Sequence, residues 1–149
     1  MTAAEAPATQ SMPADSPVLV YDGDCAFCAR SVQFLLRHDR RRTVRFAARG
    51  GVFGRAVRAG DPTLAAVDSL LWIEGAGAGA AVRTHSDAAL AAARYLGGGW
   101  ALLGALGGLV PRPFRDAVYR LIARNRHRLG LGAAACVVFT PDERARTLD

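Results

Sequence analysis

Short apolar runs and helical stretches alternate along most of this chain. Val18–Tyr21 is an unbroken apolar run, the pattern of a strand buried on both faces. Ala26–His38 switches to a helical period. Cys28, Val32, Leu35 and Leu36 share one stripe, and Arg30, Gln33 and Arg37 point elsewhere. Asp39-Arg40-Arg41-Arg42 is a polar turn, and Thr43–Ala47 reads as a second strand. Gly51–Ala59 suits a short helix, and Ser69–Glu74 a third strand. Gly75–Gly79 alternates Gly with Ala and holds no regular element, so Ala80–Thr84 would return as the fourth strand of a hairpin. Ser86 is expected to cap the helix Ala88–Leu96, with Asp87 in its first turn and Gly97-Gly98-Gly99 ending it.

The order β-α-β-α-β-β-α is that of a thioredoxin-like α/β core, and a helical C-terminal extension follows it. The run Tyr95–Pro111 is uncharged and holds six glycines; it predicts a helix buried against the core rather than a membrane span. Phe114–Arg128 predicts an amphipathic helix. Phe114, Val118, Leu121 and Ile122 form one face, and Arg115, Arg120, Arg124 and Arg128 the other. The expected organisation is a disordered tail over 1–16, one domain over 17–139 with its C-terminal helices from about 99, and a tail over 140–149.

Cys25-Ala26-Phe27-Cys28 lies at the turn from the first strand into the first helix, after Asp22-Gly23-Asp24. This placement suits thiol–disulfide exchange, because the thiolate is the attacking species and helix N-termini favour anions by roughly 0.3–1 kcal/mol. In C-x-x-C pairs the thiol pKa falls from about 8.5 to roughly 3.5–7.5. Cys25, the N-terminal member, is expected to attack, and Cys28, one turn deeper, to resolve the mixed disulfide. Asp24 opposes the thiolate unless it turns away to cap the helix or takes the Cys28 proton. Asp22 is a second candidate for that proton, and both also read as plain turn residues. Phe27 offers an apolar rim for substrate, and Asp68 with Ser69, before the third strand, would hold a substrate backbone.

The stretch Asp22-x-x-Cys25-x-x-Cys28 after an apolar strand resembles the signature of the DCC thiol–disulfide oxidoreductase-like family. The similarity extends to Val67-Asp68-Ser69, Ser86-Asp87-Ala88, the run Pro111 to Tyr119, and Ala123-Arg124-Asn125-Arg126, covering residues 17 to about 136. The resemblance implies a thioredoxin-like fold and disulfide oxidoreductase activity. The chain departs from thioredoxin itself in lacking Gly-Pro between the cysteines and a proline directly before the third strand. No cofactor is expected, since the dithiol is the redox group. The partner would be a disulfide-containing protein or a small thiol.

Composition narrows the rivals. All 19 basic residues are Arg, the net charge is +6, and the acidic residues Glu5 and Asp15 leave +8 on residues 17–149. Zinc would need Cys136 and one of His38, His85 or His127 to complete a half-site, and no second C-x-x-C or paired His exists, so no metal is expected. A D-x-D phosphotransferase reading of Asp22-Gly23-Asp24 needs a downstream Lys or Arg and a late acidic pair; there is no Lys, and the only later adjacent acids, Asp142-Glu143, sit in the expected tail. Basic clusters at Arg37–Arg45 and Arg112–Arg128 come without an aromatic platform, so nucleic acid is not expected; a peripheral membrane contact stays open. Cys136 reads as a buried residue or a third redox thiol. Met1–Ser16 lacks the pattern of a secretory signal, and the expected compartment is the cytoplasm. The runner-up to exchange chemistry is a noncatalytic redox-responsive or partner-binding domain.

Overall fold

Strand β1, Val18–Tyr21, is fully buried, as its unbroken apolar run requires. In this computed structural model, which describes residues 16–23, 26–67, 69–75, 79–125, 128 and 139–148, β1 is one of the two inner strands of a four-stranded sheet. The helix α1, Ala26–His38, leads to β2, Arg45–Ala48, which pairs with β1 in parallel. After α2, Val52–Gly60, and the short α3, Pro62–Ala65, the chain enters β3, Leu71–Glu74, and β4, Ala81–Thr84. Both later pairings are antiparallel, and the strand order is β2-β1-β3-β4. With α4, His85–Leu96, packed behind it, this is the thioredoxin-like α/β architecture expected from the element order.

Strand alternation divides the core into two layers. Leu19, Tyr21, Phe46 and Trp72 point to one face, where Cys28, Val32 and Leu35 of α1 and Ala88, Ala91 and Ala92 of α4 cover them. Val18, Val20, Ala47, Leu71 and Ile73 point to the other, covered by Leu64 of α3, Phe53 and Val57 of α2, and Leu148. Burial on both faces explains why β1 and β3 show no polar alternation.

Three expectations are corrected. Ser86 is not the cap of α4; Thr84 holds that position, and Ser86 is buried with its hydroxyl donating to the Asp116 carboxylate. The apolar run after α4 forms α5, Gly98–Gly108, yet this helix is not buried in the core. Gly104, Gly107 and Gly108 face inward: a Cβ at Gly104 would sit 2.9 Å from Arg94 Cγ, and one at Gly107 2.6 Å from Leu90 Cδ2. The glycine side therefore lies close against α4, and Leu102, Leu103 and Leu106 project outward. The residues expected as a C-terminal tail also dock. Thr147 bridges Phe46 in parallel, Phe46 N–H donates to Arg146 C=O, and Leu148 N–H donates to Phe46 C=O. This segment carries the four-residue helix α7, Pro141–Arg144, and covers the open edge of β2. Residues 1–15, and Cys136, read as a buried residue or a third redox thiol, lie outside the described residues.

Candidate functional site

Cys28 follows the carboxyl end of β1, which runs parallel to β2. In open α/β sheets the carboxyl ends of parallel strands are where ligand crevices form. Cys28 is the third residue of α1. It is 7% exposed and belongs to the core layer beneath α1 and α4. Its burial follows from the helical stripe that it begins, shared with Val32 and Leu35 one and two turns on. Phe27 is half-buried against the same layer, and its carbonyl accepts from the Ser31 hydroxyl at 3.0 Å. Cys25, Asp24 and Asp68 lie outside the described residues, so the roles read for them remain expectations.

A cavity of about 210 Å³ opens beside Cys28. It brings together two of the other residues singled out from sequence, Asp22 and Phe27, with Ser69 at the far wall. Ser69 is committed to the local backbone: its Oγ accepts from His85 N–H at 3.2 Å and donates to the Leu70 carbonyl at 3.2 Å. It shapes the wall where β3 begins and α4 starts. His85 is held in the left-handed region at φ 51°. Such a conformation is uncommon outside glycine and persists only where surroundings impose it. Here the Ser69 bond and an edge-on contact with the Tyr119 ring, 5.6 Å between centroids, hold it.

Sequence reasoning missed the remaining walls. Leu70 contributes from just before β3, Ala89 from α4 and Arg49 from just after β2. Tyr119, Ile122 and Ala123 contribute from α6, Arg112–Asn125, some ninety residues beyond the cysteine pair. The Tyr119 hydroxyl accepts from Leu70 N–H at 3.4 Å. What holds α6 there is a polar clasp. Arg115 donates to Asp87 Oδ1 at 2.9 Å, Arg112 meets Asp87 at 3.1 Å, and Asp116 accepts from Ser86. The Ser86 hydroxyl holds the Asp116 carboxyl below the usual carboxylate range, with Arg112 acting in the same direction. The only sequence signal for this arrangement is that Ser86-Asp87 and Arg112 to Tyr119 both belong to the stretches that resemble the family.

With Cys28, Phe27 and the apolar side chains of Leu70, Ala89 and Ile122 around it, the cavity can take a small or side-chain-sized apolar group next to a sulfur. Among the described residues no three His, Cys, Asp or Glu side chains converge as a metal cage.

Comparison with known proteins agrees with this picture. The family model described as DCC1-like thiol-disulfide oxidoreductase matches residues 19–131. A curated relative, the uncharacterized protein YuxK of Bacillus subtilis (strain 168), is 34% identical over 133 residues, 88% of this chain and 93% of the relative. No solved structure matches.

Proposed function

The chain belongs to the DCC1-like thiol-disulfide oxidoreductase family, and from that premise we propose that it exchanges disulfides through Cys25 and Cys28. The observation that carries the reading is Cys28 in the first turn of α1, at the end of a parallel strand pair and on the wall of an apolar cavity. A thiol so placed is shielded from bulk solvent but open to a partner sulfur in that cavity.

In the reductive direction, the Cys25 thiolate attacks one sulfur of a substrate disulfide. A Cys25–substrate bond forms, and the second substrate sulfur leaves as a thiolate that takes up a proton. Cys28 then loses its proton and attacks Cys25. The intramolecular disulfide forms, and the first substrate sulfur leaves. Two electrons pass from the dithiol to the substrate, and every step is reversible. Asp22, on the cavity wall beside Cys28, is the described carboxylate suited to take the Cys28 proton. Phe27 and Ser69 bound the space that the substrate chain fills. Partners are disulfide-containing proteins or small thiols of the cytoplasm, and no metal or organic cofactor takes part.

Trapping tests the assignment. Cys28→Ser is expected to accumulate mixed disulfides on Cys25, seen as adducts by mass spectrometry, and Cys25→Ser to abolish exchange with the fold intact. If Cys28→Ser traps nothing while the unaltered protein reduces model disulfides, the two roles are wrongly assigned. The potential of the pair, read by alkylation in glutathione buffers, is expected within roughly −120 to −270 mV, the range of known exchange proteins. A pair showing no reversible transition would favour a noncatalytic redox-responsive domain.

A further inference from the structure

Helices α5 and α6 cover α4 with their small and polar sides and leave their large apolar side chains outside. Leu102 is 61% exposed, Leu109 79%, Phe114 67% and Leu121 61%, and Leu103, Leu106 and Val118 are more than half exposed. They follow one another along two successive helices and the turn between them. Seven large apolar side chains left exposed in succession along two helices mark an interaction site rather than an ordinary exterior.

We propose that this surface seats the protein on an anionic phospholipid bilayer. The charge around the apolar residues selects that occupant. From α5 through α6, residues 98–125 hold four arginines and a single carboxylate, Asp116, a net +3. Asp116 is held by Ser86 and Arg112, and Asp87 by Arg112 and Arg115, so neither carboxylate faces outward unpaired. Arg120 and Arg124 are exposed, one and three residues from Leu121, and carry no ion pair among the described residues. At the α5 end a cavity of about 540 Å³ is lined by Arg37, His38 and Arg40 together with Trp100 and Leu103. Cationic groups thus border the leucines at both ends, with a Trp at one margin, the composition of a helix that lies in the headgroup layer. A second copy packed on the same face would oppose +3 to +3. No helix among the described residues is long and apolar enough to cross a membrane, so the contact is peripheral.

The side of α6 opposite Phe114 and Leu121 carries Tyr119 and Ala123, which wall the Cys28 cavity. Seating therefore brings the thiol site close to the bilayer surface.

Sedimentation of the full chain with vesicles tests this, using phosphatidylcholine with and without phosphatidylglycerol. Binding is expected on the phosphatidylglycerol vesicles, weak on phosphatidylcholine alone, and reduced at high salt. Joint Arg120→Gln and Arg124→Gln is expected to weaken binding roughly 30-fold at low salt. Joint Leu106→Ser and Leu121→Ser is expected to weaken it at least about tenfold. All four side chains are exposed, so both variants should keep the wild-type circular dichroism. No binding to anionic vesicles, or binding unchanged in either variant, overturns the proposal. A dimer dissolved by the leucine pair, without vesicle binding, would assign the surface to a second copy. Binding to polyglutamate but not to vesicles would assign it to an acidic protein. The exchange activity of the thiols is read separately and does not enter these outcomes.

Discussion

At the scale of single residues, close approach decides more than residue class. Gly54 is buried in α2, and a Cβ there would lie 2.4 Å from the Ala48 carbonyl oxygen and 2.7 Å from that of Arg49. Alanine would gain about 1 kcal/mol of helix propensity. The clash is with backbone at the end of β2, which cannot rotate aside, so overpacking of about 1–3 kcal/mol outweighs that gain. Gly54→Ala is therefore expected to lower stability by up to about 2 kcal/mol in urea unfolding. Gly99, with open space around it, is the control: Gly99→Ala should be neutral or stabilising by up to about 1 kcal/mol. Nothing in the sequence shows what a side chain at either glycine would strike, because that depends on a neighbouring backbone. The cysteine spacing, by contrast, was readable at once, and so was the depth of Cys28, since it begins an apolar stripe of fixed period.

Elements show the same division. The bounds of β1 and α1 were legible because Val18–Tyr21 and the stripe from Cys28 to Leu35 are strong local signals. Ser86 misled, since a serine ahead of an apolar stretch is the usual mark of a helix start. Its hydroxyl instead serves a carboxylate thirty residues on, and that choice belongs to the docking of α6 on α4. The clasp has a measurable pH dependence. Asp116 is held below its ordinary range, so it favours the folded state while ionised and above its unfolded value. That contribution disappears as pH falls through the folded value. Ser86→Ala should cost about 1 kcal/mol near neutrality, the worth of one hydrogen bond. The gap from the unaltered protein should close once the pH drops below the carboxylate range, read by urea unfolding at matched pH. Loosening α6 also opens the wall formed by Tyr119 and Ile122, so exchange rates with small disulfides should change in the same variant.

For the molecule as a whole, the C-terminal segment matters more than its composition suggests. Arg146 meets Asp39 at 2.5 Å, and the two side chains are 10% and 1% exposed. Arg146 Nε donates to the Val44 carbonyl, Asp39 accepts from Val44 N–H at 3.0 Å, and the guanidinium lies over the Phe46 ring. Burial pushes the Arg146 guanidinium down from its usual value, and Asp39 opposes that shift. A pair this deep is costly to break from one side, because the partner stays buried and charged. Arg146→Ala is expected to lose about 3–5 kcal/mol, whereas removing Asp39 as well should recover part of that loss. A double-mutant cycle in denaturant checks it. The stretch around Arg146 has too few apolar residues to announce itself as structural. Its value comes from pairing with β2 a hundred residues earlier.

By itself the sequence determined the order of the strands and the longer helices, the thiol pair and its place after β1, and the family to which these belong. Each of these is written in short-range pattern: period, turn chemistry and spacing. Only the tertiary structure decided which faces of α5 and α6 are covered. It turned Gly104, Gly107 and Gly108 of α5 inward and the leucines outward, brought Tyr119 and Ile122 to the wall beside Cys28, and laid the C-terminal segment on β2. Those outcomes depend on contacts between elements tens of residues apart, where close packing and buried charge choose the partner, and periodicity along one element carries no record of that choice.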